Sequence, residues 1–248
     1  MNPDDVRKWR LKTFSELVGA ANRRRVQRLQ KALLQGTLPS PLLIVGVYGF
    51  GKTSLVRLLL KSLNCRNRDP ATADPCHVCT QCVCSGKYYF GHGDPYRRFE
   101  YDCASLDRAA LIEELSEQYF EKDTVMFLDE FHRIQGKGGH ELFLKFVEDY
   151  DGIFIAAVME DRLEEIPPPL RERCGIVQLL QPEASEIADS LALKCAEWKI
   201  SCEEAAIGYM VEQSGQSFRI CHRILAAALE DGGMLTRQLV DEVLCLDR

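Results

Sequence analysis

Leu42-Leu-Ile-Val-Gly46-Val-Tyr-Gly-Phe-Gly51-Lys52-Thr53 is the stretch on which the reading of this 248-residue chain turns. Leu42–Val45 is a short apolar run that reads as a buried strand, and the glycines at 46, 49 and 51 end it. Gly46-x-x-x-x-Gly51-Lys52-Thr53 is the P-loop pattern, and Thr53–Leu63 has the composition of a well-packed helix. Strand, loop and helix thus come in the order the pattern requires. Glycines let successive backbone N–H groups curl around phosphate oxygens, and the helix N-terminus adds positive potential. Lys52 is expected to neutralise the β- and γ-phosphates of a nucleotide, and Thr53 to hold Mg²⁺. A strand–helix turn with a surface lysine could share this composition; the spacing and the flanking elements together separate the two readings.

A nucleoside triphosphatase also needs an acid at the end of a neighbouring strand, and Val125-Met-Phe-Leu-Asp129-Glu130 supplies two. Asp129 is expected to reach Mg²⁺ through water, and Glu130 to polarise the attacking water. Strands are also expected at Arg98–Cys103, Gly152–Val158 and Ile176–Leu180, with helices over Arg23–Gln35, Leu106–Phe120 and His140–Tyr150. After Gln181 the pattern changes to helices alone: Glu183–Trp198, Cys202–Gln213, Ser217–Leu229 and Thr236–Leu246. Alternating strands and helices followed by helices indicate an α/β domain with a parallel sheet, residues 1–181, and a small all-α domain, residues 182–248.

The cysteines are the second strong signal. There are 11, and five lie in the short stretch Cys65–Cys84. Cys65-x10-Cys76-x2-Cys79-x2-Cys82 has the loop spacing that delivers four thiolates to one Zn²⁺ without strain, with Cys84 as a spare. The surrounding residues are rich in Asp, Pro and Gly and lack the aliphatics that would bury free thiols. A closed structural site is expected, because four thiolates leave no open position for catalysis. The zinc module occupies about residues 64–92 and interrupts the α/β pattern just after the P-loop helix.

Composition narrows the rest. The net charge is −6, which argues against binding nucleic acid through a generally basic surface. No apolar run is long enough to span a bilayer, and Asp4, Asp5, Arg7 and Lys8 exclude a signal-peptide core at the start, so a cytoplasmic location is expected.

Taken together, these residues resemble the gamma/tau subunit of the bacterial replicative clamp loader, an AAA+ ATPase, over nearly the whole chain. Val6–Phe14 followed by Val18-Gly19 is similar to the family's adenine-side segment, and Leu11 stands where a proline is usual. Gly49-Phe50-Gly51-Lys52-Thr53-Ser54-Leu55, the Cys76–Cys82 cluster, Asp102-Cys-Ala-Ser105 and Leu128-Asp-Glu-Phe-His132 match in the same order. The resemblance implies an AAA+ core with a helical lid, and a nucleotide contacted by Val18 and by the loop from Gly46 to Ser54. It implies that Arg173 reaches a neighbouring subunit's ATP site, with Glu172 in place of the usual serine. It also implies that Arg219, in Ser217-Phe-Arg-Ile, touches the γ-phosphate from the lid of the same chain.

Two departures stand out. The strand Ile153–Val158 should run into a polar sensor 1 residue, but the sequence reads Ala156-Ala-Val-Met-Glu160. The family's collar domain has no counterpart in these residues. The expected function is an ATPase switch working in an oligomer of like or unlike AAA+ subunits, with DNA or a DNA-bound protein as client. The alternative is a nucleotide-gated scaffold with little turnover, in a DNA transposition or defence complex.

Overall fold

The computed structural model of the chain describes residues 10–83, 88–89, 97–104, 124–134, 143–144, 147–148, 150–230 and 232–245. Cys84, the helix expected over Leu106–Phe120, and most of the one expected over His140–Tyr150 lie outside the described residues.

Helix α1 (Ala20–Gln35) precedes strand β1 (Leu42–Gly46) and helix α2 (Lys52–Asn64). The cysteine segment holds the short helix α3 (Thr80–Val83) and leads to β2 (Tyr88–Tyr89). Strands β3 (Arg97–Asp102), β4 (Thr124–Asp129), β5 (Ile153–Met159) and β6 (Gly175–Leu179) complete one sheet, with helix α4 (Pro168–Arg173) between the last two. The sheet order is β2-β3-β4-β5-β1-β6, parallel except for β2, which pairs antiparallel with β3. The parallel sheet matches the α/β expectation; the two-residue β2 is an addition that follows the cysteine-rich segment.

Burial on both faces explains why β1 reads as an unbroken apolar run rather than an alternation. Leu42 and Ile44 join Val26, Leu29, Leu55 and Leu59 on the face covered by α1 and α2. Leu43 and Val45 point the other way, among Met126, Leu128, Phe131, Phe154 and Leu170. Gly36 ends α1 at φ 66, a left-handed conformation that glycine adopts without steric cost.

Four longer helices follow β6: α5 (Ala184–Glu197), α6 (Ala206–Gln213), α7 (Phe218–Glu230) and α8 (Arg237–Cys245). They enclose their own buried cluster, built on Ile187, Leu191, Met210, Ile224, Leu225 and Val240. A capping box starts α5, with Glu183 and Glu186 each satisfying the other's backbone N–H.

The expectation of helices alone needs a correction. Ser201–Cys202 (β7) and Met234–Leu235 (β8) form a small parallel pair. The helix expected from Cys202 therefore starts only at Ala206, after Ala205 turns at φ 59. Local helix propensity is overridden there by pairing with a segment more than thirty residues away.

Candidate functional site

The P-loop lies where β1 meets α2, and its conformation follows from its glycines. Gly49 and Gly51 sit at φ 82 and 84, where a side chain would be strained. Gly46 is needed for another reason: a Cβ there would approach the Leu179 carbonyl to 2.8 Å. The loop can therefore pack directly on β6.

Lys52 Nζ donates to the carbonyls of Gly46 and Val47, both at 2.9 Å, and approaches Met159 Sδ at 3.4 Å. Burial pushes its pKa below the usual lysine value, opposed by the charges of Asp129, Glu130 and Asp161. Thr53 Oγ1 donates to Asp129 Oδ2 at 2.8 Å, joining the start of α2 to the end of β4. Burial raises the Asp129 pKa from its ordinary value, opposed by the hydrogen bonds from Thr53 and the Glu130 N–H. A hydroxyl and a desolvated carboxylate side by side form the oxygen donor set that suits Mg²⁺.

Glu130 turns out of β4 at φ 52 and forms an ion pair with Arg133 Nε at 2.5 Å. Behind it, Arg57 from α2 holds Glu100 from β3, its Nε 3.0 Å from Oε1.

Lys52, Thr53, Arg57, Asp129, Glu130 and Met159 line one cleft of about 570 Å³. Val18, Gly49, Phe50, Gly51, Ser54 and Arg219 from the expected set line it too, while Gly46 contributes only its carbonyl to Lys52. The side of the cleft opposite the P-loop comes from α5 and α7 through Ser190, Lys194, Phe218, Arg219 and His222. Phe50 bridges the two sides, with its ring 6.1 Å from that of Phe218 in an edge-on arrangement. Arg219 lies 4.4 Å over the Tyr48 ring and donates to the Tyr48 hydroxyl. Arg173 is elsewhere: at the exposed end of α4 it pairs with Glu148 at 2.5 Å and does not line the cleft.

Several residues of this region, Asn22 and Tyr48 among them, were not singled out from the sequence. Asn22, 4% exposed, donates to the carbonyls of Val18 and Leu180 at 2.9 and 2.8 Å and accepts the Leu180 N–H at 2.8 Å. It fastens the Val18 segment to the chain leaving β6. Tyr48 occupies a variable position of the P-loop, where nothing in the pattern marks it. Met159 stands where a polar side chain was sought, and its N–H reaches His132 Nδ1 at 3.4 Å.

The cysteine cluster is separate. The sulfurs of Cys65, Cys76, Cys79 and Cys82 all lie within 4.8 Å of one another. Cys79 and Cys82 are 3.4 Å apart at sulfur, and the Cys76 N–H points at Cys65 Sγ at 3.2 Å. The backbone N–H groups of Val78 and Cys79 pull the Cys76 thiol down to about 6, as a thiolate ligand requires, whereas burial pushes Cys82 up. Four convergent soft donors fit Zn²⁺.

Known proteins match nearly the whole chain. The chain is 31% identical over 246 residues to the DNA polymerase III subunit gamma/tau of Mycobacterium bovis, covering 94% of this chain and 40% of that protein. It is 26% identical over 245 residues to the DNA polymerase III subunit gamma of Buchnera aphidicola subsp. Baizongia pistaciae, covering 96% and 64%. The tau subunit of Escherichia coli K12 is 27% identical over 248 residues, covering 96% and 36%. The chain thus spans less than two thirds of the length of each of these relatives. In fold it is similar to the RuvB Holliday junction branch migration motor of Thermotoga maritima, with a TM-score of 0.59 at 18% identity, over 96% of this chain and 72% of that one. No helix among the described residues is long and apolar enough to cross a membrane. Residues 42–182, from the strand entering the P-loop to the end of the parallel sheet, match the model of the ATPase family associated with various cellular activities, so the chain belongs to the AAA family.

Proposed function

We propose that this chain is an ATP-dependent switch of the clamp-loader type, binding and hydrolysing ATP in the cleft between its P-loop core and its helical lid. The core comprises residues 1–181, with a zinc-binding insertion at about 64–92, and the lid residues 182–248. The observation that carries the reading is the Thr53–Asp129 contact beside the desolvated Lys52, in a cleft whose far wall brings in Arg219.

In this reading Lys52 leaves the carbonyls of Gly46 and Val47 to hold the β- and γ-phosphates, and the N–H groups of the left-handed loop hold their oxygens. Thr53 and Asp129 would hold Mg²⁺, which would supply charge neutralisation at the phosphate oxygens. Glu130 takes a proton from the attacking water after releasing Arg133. Arg219 exchanges Tyr48 for the γ-phosphate, so the core and lid close when ATP is bound and relax when it is spent; this differential contact is what a switch needs. Arg173, exposed and outside its own cleft, would serve the ATP site of a neighbouring subunit in a homo- or hetero-oligomer. Cys65, Cys76, Cys79 and Cys82 would hold structural Zn²⁺. The relatives named for DNA polymerase III support a replication-like transaction, with DNA or a DNA-bound protein as client.

A second reading has one observation in its favour: Met159, a thioether, is the side chain that β5 places against Lys52. It describes a nucleotide-gated scaffold with little turnover, serving DNA transposition or defence. Steady-state ATP hydrolysis at several protein concentrations, with molecular mass measured alongside, separates the two. A specific rate that rises with concentration, is lost in Glu130→Gln and is reduced in Arg173→Ala supports the switch. ATP-driven assembly without hydrolysis refutes it in favour of the scaffold.

A further inference from the structure

We propose that His132 is a catalytic residue of this chain, donating its Nε2–H to an oxygen of the terminal phosphate in place of the polar group that β5 lacks. The inference rests on the proposed ATPase reading and adds to it the residue that completes the phosphate contacts.

The place left without a polar side chain is well defined. Met159 ends β5 in register with Gly46, the first glycine of the P-loop, and its sulfur lies 3.4 Å from Lys52 Nζ. A thioether is at best a weak acceptor and has no proton to give. The side chain at the tip of β5 therefore has no proton to donate to a phosphate oxygen.

His132 comes to the same wall of the cleft from the neighbouring strand. It lies in the 3-10 turn Phe131–Arg133 that follows Glu130, and it lines the cleft with Lys52, Thr53, Glu130 and Met159. The turn is anchored beneath by Phe131, fully buried and 5.1 Å from the Phe143 ring in an edge-on contact. The N–H of Met159 can only donate, so its 3.4 Å contact makes His132 Nδ1 an acceptor. The neutral ring then carries its proton on Nε2, and the other edge of the ring is held by the backbone of the residue that lacks a donor. Among the described residues Nε2 has no hydrogen-bond partner. Burial disfavours the charged imidazolium, as do the Arg133 and Lys52 charges, against the opposing pull of Glu130 and Glu165. A neutral N–H is the donor that this position tolerates, because it adds no second cation next to the P-loop lysine.

The chemistry balances without further reactants. The water oxygen bonds to the terminal phosphorus as the bond to the bridging oxygen breaks, the electron pair leaving on ADP. The proton of the water passes to Glu130, and His132 keeps its own. Its contribution is a hydrogen bond that strengthens as charge shifts among the phosphate oxygens.

Side-chain geometry makes the test specific. His132→Asn keeps an acceptor near the Nδ1 position but is too short to reach the phosphate. His132→Gln carries an amide N–H out toward the Nε2 position. ATP hydrolysis and ATP affinity would be measured for the parent, His132→Ala, His132→Asn, His132→Gln, and His132→Ala combined with Met159→Thr, with thermal unfolding as a check on folding. The expected result is a loss in kcat of about 100-fold in the Ala and Asn variants, the scale of one lost transition-state donor, with ATP affinity within about threefold. At least about tenfold of that loss should return in His132→Gln, and also when Met159→Thr restores a hydroxyl at the end of β5. A kcat in His132→Ala within about threefold of the parent overturns the proposal, as does an Asn variant as active as the Gln variant. A parent that binds ATP but never turns it over overturns the ATPase reading and this inference together. A parent with turnover indifferent to His132 overturns this inference alone.

Discussion

Replacing Asn22 with alanine should loosen the joint on which the cleft depends, and the size of the effect can be worked out bond by bond. The amide makes three hydrogen bonds, to Val18 O, Leu180 O and Leu180 N–H, at 2.8–2.9 Å, while only 4% exposed. A neutral hydrogen bond contributes about 1 kcal/mol net, and a buried group left unpaired costs about 1–3 kcal/mol. Alanine returns about 0.5 kcal/mol of helix propensity at the start of α1. The net loss is then about 3 kcal/mol. With a urea m-value of about 3 kcal/mol/M, at the upper end of the small-protein range, the unfolding midpoint falls by about 1 M. Urea titration followed by far-UV circular dichroism measures it directly. Asn22→Asp keeps the acceptor for the Leu180 N–H but turns a carboxylate toward two carbonyls, so it should destabilise at least as much. A midpoint shift below about 0.3 M in the alanine variant would mean that water replaces all three bonds, and the reasoning fails. Because Val18 lines the cleft, ATP affinity should fall in parallel with stability.

Tyr48→Ala releases Arg219 from a contact between exposed side chains worth about 0.5–1 kcal/mol. Thermal stability should hardly change, while ATP affinity, read by titration calorimetry, should rise about two- to fivefold as a competing partner is removed; an unchanged or weaker affinity would show that the stacked arginine is not in competition with nucleotide. Gly46→Ala drives a Cβ to 2.8 Å from the Leu179 carbonyl, and the overpacking should cost about 1–3 kcal/mol in chemical unfolding. A neutral result would place β1 and β6 further apart than described. Protein purified without chelator should carry close to one equivalent of zinc by elemental analysis, and strong chelation should lower the melting temperature. Less than about half an equivalent would count against the four-cysteine site.

Local and distant signals divide cleanly in this chain. The P-loop was legible because its chemistry is contiguous: glycines at 46, 49 and 51 set the backbone, and Lys52 and Thr53 follow at once. Asp129 and Glu130 were legible because a buried strand that ends in acids is itself a short pattern. Cys65, Cys76, Cys79 and Cys82 were legible because thiols are rare and the knuckle spacing is narrow; their sulfurs do converge. The parallel sheet followed from the alternation of strands and helices and from strands apolar on both faces.

What the sequence could not show is what depends on residues far apart meeting at fixed distances. Asn22 looks like any polar residue of a helix until Leu180, 158 positions away, is placed against it. Tyr48 becomes the partner of Arg219 only across 171 positions. The β7–β8 pair shortens a helix by means of a strand partner that helix propensity does not register. His132 was visible as part of a motif, and Met159 as a missing hydroxyl. Their hydrogen bond exists only because β4 and β5 lie side by side, so that the turn after one meets the end of the other. Sequence by itself determined the residue types of the candidate phosphate site, since the P-loop and the Asp129-Glu130 pair are patterns of short spacing. The tertiary structure alone decided which groups line the cleft and that His132 meets the end of β5, because hydrogen bonds are set by position in space and not by order along the chain.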